Sequence, residues 1–336
     1  MRDEAGHATS IELLQAPADT VYALSARFRQ DVVSGKAAVG LACATAGAVV
    51  ASLEQSVLGP IEDQVLALLA GHDAGSGDAT GPGRAARTLA VVTAGPFSGL
   101  PLHAARLRDG RPAAALGFAY APTMGALAEP APRLDLGASV LIVADPARKG
   151  LAPLTGAVLE LDSLARTWPG AQVLREAAAT RSAVLAALPT ATLIHLACHG
   201  MSDDRDPLDS LVVLADGDIT MGDVLAIALR PGCLVVLSAC QTAVRDPSVP
   251  NEAMSLAMGF LAAGAATVVA SLWPVADDST AALMGAFHES LRSGLAPAHA
   301  LGAAQAAMAA GQLVDPSHAA DWRSPFYWAG FVATGR

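Results

Sequence analysis

Four short apolar runs constrain this chain more than any other feature: SVLIVADP (139–146), TLIHLAC (192–198), LVVLSAC (234–240) and ATVVASL (266–272). None alternates polar with apolar residues, and all are rich in Val, Ile, Leu and Ala, the pattern of strands buried on both faces. Helical stretches separate them. Thr155 to Thr167 reads as a helix with Glu160 and Asp162 toward the outside, and Thr180 is placed to cap a helix running to Leu188. Strands alternating with helices predict an α/β fold: a mainly parallel central sheet covered on both sides, an α/β/α sandwich. In such folds sites form at the carboxyl ends of strands. Two of the runs end there in reactive side chains, His199-Gly200 and Cys240-Gln241.

The remaining elements follow the same logic. Residues 17–34 and about 42–69 read as helices, and Gly71 to Arg87 as a Gly/Ser/Asp-rich loop. LAVVTAG (89–95) and AAALGFAYA (113–121) are strand-like, LVVLADGDIT (211–220) a hairpin, and a short helix starts near Thr220. Asn251 is placed to cap a helix. Ser279 or Thr280 begins a helix to about Arg292, another spans Pro297 to Ala310, and FYWAGFVAT closes the chain.

With 336 residues, over half of them hydrophobic and 15% charged, the chain can bury a large core and is not of disordered composition. A net charge of −10 with no Lys/Arg-rich run gives no electrostatic case for nucleic-acid binding. The four cysteines show neither CxxC nor zinc-like spacing, so free thiols in a reducing cytosol are expected. The opening MRDEAGHATS has no signal-peptide core. Ala253 to Ala276 carries no charge and is long enough to span a membrane, but Gly264 and Pro274 punctuate it. Its halves read as a helix and a strand, so a buried helix–strand unit is expected and no membrane contact.

A thiolate is the effective cysteine nucleophile, and a neighbouring imidazole can ionise it or take its proton. If the two runs are parallel neighbours, His199 and Cys240 emerge at one edge of the sheet. The small Gly200 would leave its N–H free for a developing oxyanion, with the N–H of Cys240 as a second donor. That set fits thiol acyl transfer, with peptide-bond hydrolysis the natural reaction. On residue pattern alone, a buried structural cysteine and a hydrogen-bonded structural histidine fit as well.

The blocks HLACHG, DPLDSLVVLADG, LVVLSACQTA, AAGAATVVASLWPVADDST and SPFYWAGFVATG, in this order, resemble the CHAT domain, the caspase- and separase-like cysteine peptidase family of bacteria. VLGPIEDQV, LAVVTAGPFSGLPLHAAR and GFAYAPTMGAL resemble its earlier blocks, so the likeness covers nearly the whole chain. The resemblance implies a caspase-like three-layer sandwich: residues 1–135 as a helical and α/β support part similar to an inactive half, and 136–336 as the catalytic core. It implies a His–Cys dyad with His199 as base or polarising imidazole, Cys240 as nucleophile and Gly200 as oxyanion donor.

Relatives with a basic P1 preference carry an acid after the L-W-x-V strand. Here Asp277 and Asp278 stand there, with Asp277 the better pocket candidate and helix-start acids as the other reading. Gln241 follows the nucleophile and is placed to line the cleft. The family's usual Thr before the histidine is Cys198, expected to point into the core, and its V-P-D-G turn is VTAG. A metal site from His195, Cys198, His199 and Cys240 has no support from the resemblance, and no cofactor is expected. His195 reads as structural. Trp273, Phe326, Tyr327 and Trp328 read as core, and Asp203, Asp204, Asp206 and Asp209 as a solvated acidic loop.

The resemblance implies a setting common for such domains, behind tetratricopeptide or other sensor modules in stress, death or antiphage pathways. The expectation is therefore a cytoplasmic cysteine endopeptidase acting on a protein substrate and regulated by a sensor or partner. The loop at Asp203 to Asp209 and the segment Arg245 to Pro250 are placed to order on activation. The rivals are a catalytically silent scaffold for protein interaction and a thiol acyl-transferase or ligase on the same dyad.

Overall fold

The structure is a computed structural model, and it describes residues 18–34, 37–70, 88–93, 95–127, 134, 136, 138–201, 206–238, 256–313 and 320–335. It opens with helices α1 (Ala18–Phe28), α2 (Val39–Leu53) and α3 (Glu62–Ala70), then the short strands β1 (Leu89–Val91) and β2 (Phe118–Tyr120). Next come β3 (Val140–Ala144), α4 (Thr155–Thr167), β4 (Gln172–Arg175), α5 (Arg181–Ala187) and β5 (Leu193–Ala197). A small antiparallel sheet follows, β6 (Gly200–Met201), β7 (Leu211–Val213) and β8 (Asp218–Thr220), leading into α6 (Met221–Leu225). The last part holds β9 (Leu234–Leu237), α7 (Leu256–Ala262), β10 (Thr267–Ser271), α8 (Asp277–Arg292), α9 (Pro297–Ala309), α10 (Pro325–Trp328) and β11 (Phe331–Gly335).

Eight strands form one sheet in the order β1-β2-β11-β10-β9-β5-β3-β4. All pairs are parallel except β10 with β11. The four apolar runs are β3, β5, β9 and β10, and every residue of these strands is buried. Helices cover the sheet, with α4, α8 and α9 packed in series and α6 against α7. The result is the expected mainly parallel α/β/α architecture, with His199 following the end of β5.

Local chemistry sets the element ends. Thr180 caps α5 by accepting from the Ala183 N–H, and Thr220 and Asp223 form a reciprocal capping box at α6. Residues 256–276 divide into α7 and β10 around Gly264, whose φ of +114° no L side chain adopts easily.

Several boundaries differ from the sequence reading. AAALGFAYA is not one strand: Ala113–Leu116 is a 3₁₀ turn, and Gly117 at φ +72° turns the chain into β2. Helix α8 starts at Asp277 rather than at Ser279 or Thr280, because extended Ala276 is its N-cap and two acids suit its first turn. FYWAGFVAT is a helical turn followed by an antiparallel strand. Strands β4 and β6 are too polar or too short to read from pattern. Asn251 lies outside the described residues. Among the described residues one helical run, Val39–Ala67, is long and apolar enough to cross a membrane; 44% of its most apolar window is buried.

At the β1–β2 end, His103 is buried with Nδ1 2.9 Å from the Tyr120 hydroxyl, and burial pushes its imidazole down to about 3. Below the unfolded value of about 6.5 only the unfolded chain takes up this proton, so the contribution is complete above pH 6.5 and is lost as pH falls toward 3. His103→Phe is expected to flatten the pH dependence of the unfolding free energy by about 1.4 kcal/mol per pH unit between pH 6 and 4. Urea titrations of both proteins across that range check it.

Candidate functional site

The carboxyl ends of β5 and β9 meet a cleft of about 50 Å³ lined by Leu154, Gly156, Ala157, Glu160, Cys198, His199, Gly200, Ser238, Val275, Asp277 and Thr280. Adjacent strand ends supply Cys198, His199, Gly200 and Ser238, while the first turns of α4 and α8 supply the opposite wall. Gly156 makes that wall possible. A Cβ there would stand 2.6 Å from Asp277 Cβ and 2.8 Å from its carbonyl oxygen, so only glycine lets the two helix starts touch.

His199 is half-buried, and its Nε2 lies 2.9 Å from the Ala152 carbonyl oxygen. A carbonyl only accepts, so Nε2 carries the hydrogen and Nδ1 is the basic nitrogen of the neutral ring. Gly200 begins β6, opposite Val212, and lines the cleft. Asp277 is exposed at the cleft wall, whereas Asp278, also exposed, is not among the lining residues. Cys240 and Gln241 lie outside the described residues, as do Asp203, Asp204 and 245–250. Asp206 and Asp209 are exposed.

The sequence reading placed Glu160 on the outside of its helix, and the structure overturns this: its residue is 2% exposed. The reason is a chain of donors that ends on its carboxylate. The Trp168 indole N–H, which can only donate, reaches His288 Nδ1 at 3.0 Å, so the proton of His288 sits on Nε2. That N–H donates to His195 Nδ1 at 3.2 Å, leaving the His195 proton on Nε2, 2.9 Å from Glu160 Oε2. The Ser238 hydroxyl donates to Glu160 Oε1 at 2.6 Å. Burial, with His195 adding, holds His288 well below the usual imidazole range, which keeps it neutral and the chain one-directional. His195 is thus structural, joining β5 to α4 and α8. Only the wide i,i+35 spacing of Glu160 and His195 separates them in sequence, and spacing of that kind carries no local signal.

Cys198 points inward, 1% exposed, with Sγ 3.9 Å from the Val143 carbonyl. Burial pushes its thiol up, and the charges of Glu160 and Asp145 add to that; burial also raises Cys233 to about 11. Both stay protonated and poorly nucleophilic at neutral pH. Trp273 and Trp328 are buried core, with Tyr327 at the core edge and Phe326 packed on it. Among the described residues no group of three or more His, Cys, Asp or Glu is arranged to hold a metal ion.

Fold and cleft together define a caspase-like α/β/α protein with a histidine at the carboxyl edge of its sheet. Residues 48–336 match the CHAT domain, and the chain belongs to that family. It is 36% identical over 132 residues to human tetratricopeptide repeat protein 28, covering 39% of this chain and 5% of that one. The mouse protein of the same name is 35% identical over 117 residues, covering 35% and 4%. The chain therefore spans a small fraction of these curated relatives. Among solved structures, separase in the Saccharomyces cerevisiae separase–securin complex aligns over 95% of this chain and 22% of that chain, with 12% identity and a TM-score of 0.53. At that identity the likeness concerns the fold alone, which is that of caspase-like peptidases.

Two outcomes follow from the buried chain of donors. Glu160→Ala strands the Ser238 hydroxyl and the His195 N–H and is expected to lower stability by about 2–4 kcal/mol in urea unfolding. Glu160→Gln, with its oxygen toward His195 and its amide toward Ser238, whose hydroxyl can also accept, is expected to lose less than half of that. Brief alkylation of the native protein at pH 7 is expected to leave Cys198 and Cys233 unmodified, as read by peptide mass mapping.

Proposed function

We propose that this chain is a cysteine endopeptidase that hydrolyses peptide bonds in a protein substrate with a His199–Cys240 dyad. The observation that carries the reading is the register of two neighbouring strands. β5 and β9 pair in parallel with Leu196 opposite Leu237, and in the sequence His199 and Cys240 each follow their member of that pair by three residues. On this reading the equal offsets put the thiol at the sheet edge where His199 stands. His199 Nδ1 then takes the thiol proton, the thiolate attacks the scissile carbonyl, and the N–H groups of Gly200 and Cys240 receive the oxyanion. The imidazolium returns its proton to the departing amine, and water releases the acyl group from the thiol. CHAT family membership and the caspase-like fold support this chemistry.

The cleft chemistry supports a substrate with a basic P1 side chain. Asp277 stands at the wall and the buried Glu160 carboxylate at the floor, so an Arg or Lys head is attracted and an acidic one repelled. Gln241 and Asp278 are proposed to contribute at the rim. Residues 1–135 are read as the support part and 136–336 as the catalytic core. We place the protein in the cytoplasm, under control of a sensor or partner. The names of the curated relatives favour a tetratricopeptide module for that role.

The test is labelling with a peptidyl thiol-reactive probe bearing P1 Arg, followed by mass-spectrometric site mapping. Label is expected on Cys240, lost in His199→Ala and reduced at least tenfold in Asp277→Ala. Label spread over several cysteines regardless of His199 would make the protein a catalytically silent scaffold.

A further inference from the structure

The histidine's useful tautomer depends on where one backbone carbonyl lies, and that carbonyl belongs to a loop. Residues 146–154 leave the end of β3, pass His199 and enter α4. Ala152 in this loop accepts the His199 Nε2 hydrogen at 2.9 Å. Two groups tie the loop down. Arg148 donates to the Leu214 carbonyl at 3.0 Å and lies 3.4 Å from Asp218, holding the first half against the small sheet. Asp145 holds the second half, with its Oδ1 accepting the Leu154 N–H at 2.8 Å. Leu154 is the N-cap residue of α4 and lines the cleft, only two residues past Ala152.

Asp145 is an unusual residue for its place. Its φ is +42°, one of two non-glycine residues with positive φ among those described. Its backbone N–H donates to the Ala197 carbonyl at 3.0 Å, so it prolongs the β3–β5 ladder to within two residues of His199 while the chain turns off the sheet. Glycine would adopt this backbone with less strain, but glycine has no acceptor for Leu154. The strained conformation aims the carboxylate back across the loop it has just begun.

We propose that Asp145 is a positioning residue for His199. Its carboxylate pins Leu154, thereby fixing the Ala152 carbonyl that holds the ring hydrogen on Nε2 and leaves Nδ1 as the base. The proposal rests on His199 acting as the base of the dyad, but its first readout does not need activity.

The test compares Asp145→Gly, which relaxes the backbone and removes the acceptor, with Asp145→Asn, which keeps an oxygen acceptor and removes the charge. Leu154→Pro deletes the same hydrogen bond from the donor side. Histidine ring nitrogens are observed by ¹⁵N NMR at pH 8 in the full chain, and the His199 signals are assigned by their absence in His199→Gln. The wild type is expected to show a single Nε2–H tautomer at His199, Asp145→Asn to keep it, and Asp145→Gly and Leu154→Pro to lose it to a mixture. Labelling of Cys240 by the P1 Arg probe is expected to slow roughly 10- to 100-fold in Asp145→Gly with unchanged half-saturating probe concentration, and to recover in Asp145→Asn. A folded Asp145→Gly or Leu154→Pro that retains the single Nε2–H tautomer overturns the proposal, as does a wild type lacking it. Failure of Cys240 to label even in the wild type overturns the peptidase reading and leaves the tautomer result to decide the role of Asp145.

Discussion

The architecture around the cleft depends on one buried carboxylate. Glu160 sits in the first half of α4, faces the sheet, and accepts hydrogen bonds from two neighbouring strand segments at once: from His195 in β5 and from Ser238 just past the end of β9. An isolated carboxylate in that position would be strongly destabilising, and the donors are what make it tolerable. The direction of the hydrogen bonds is set at the far end by Trp168, whose indole cannot accept, so each histidine has one permitted tautomer. A polar chain so defined fixes more than a hydrophobic contact does. Sliding α4 or α8 along the sheet would break donors with no alternative partner, whereas apolar side chains would repack.

That fixation has a consequence at the surface. Glu160 belongs to α4, Trp168 is that helix's C-cap residue and His288 belongs to α8, so the same chain that locks the helices to β5 also brings their N-termini together at Gly156 and Asp277. The cleft lies where those starts face the strand ends. Asp277 is in the first turn of α8 and Glu160 in the second turn of α4, and both line the cleft. The cleft is therefore a hollow lined by two acidic residues beside a histidine, and the helices that shape it also carry those acids.

Much of this was legible in the sequence, and the rest was hidden for specific reasons. The four buried parallel strands read directly, because Val/Ile/Leu runs without alternation have few other homes in a folded chain. Thr180 announced a helix start through its side chain. Strand β4 was not legible, since Gln172–Arg175 is an exposed edge whose partner is chosen by tertiary contact. Glu160 was read as solvent-facing because a charged residue in a helix normally is; its reversal needed partners 35 and 78 residues away. His199 was legible as a candidate from its place after a strand. The carbonyl that selects its tautomer was not, because a backbone acceptor has no residue signature.

The same distinction explains why Asp145 escapes a motif-based reading. An aspartate before proline at a strand end looks like ordinary turn chemistry, and Asp tolerates a left-handed backbone better than most residues. What separates it from a turn former is the reach of its side chain: it bonds not two residues on, as a local turn would, but to Leu154 at the far end of the loop. A carboxylate used that way converts a nine-residue connection into a closed, short-tethered loop. Closing the loop at its second end limits the freedom of Ala152, and Leu154 at that end lines the cleft. The histidine ring is thereby held through a backbone carbonyl, the Ala152 oxygen.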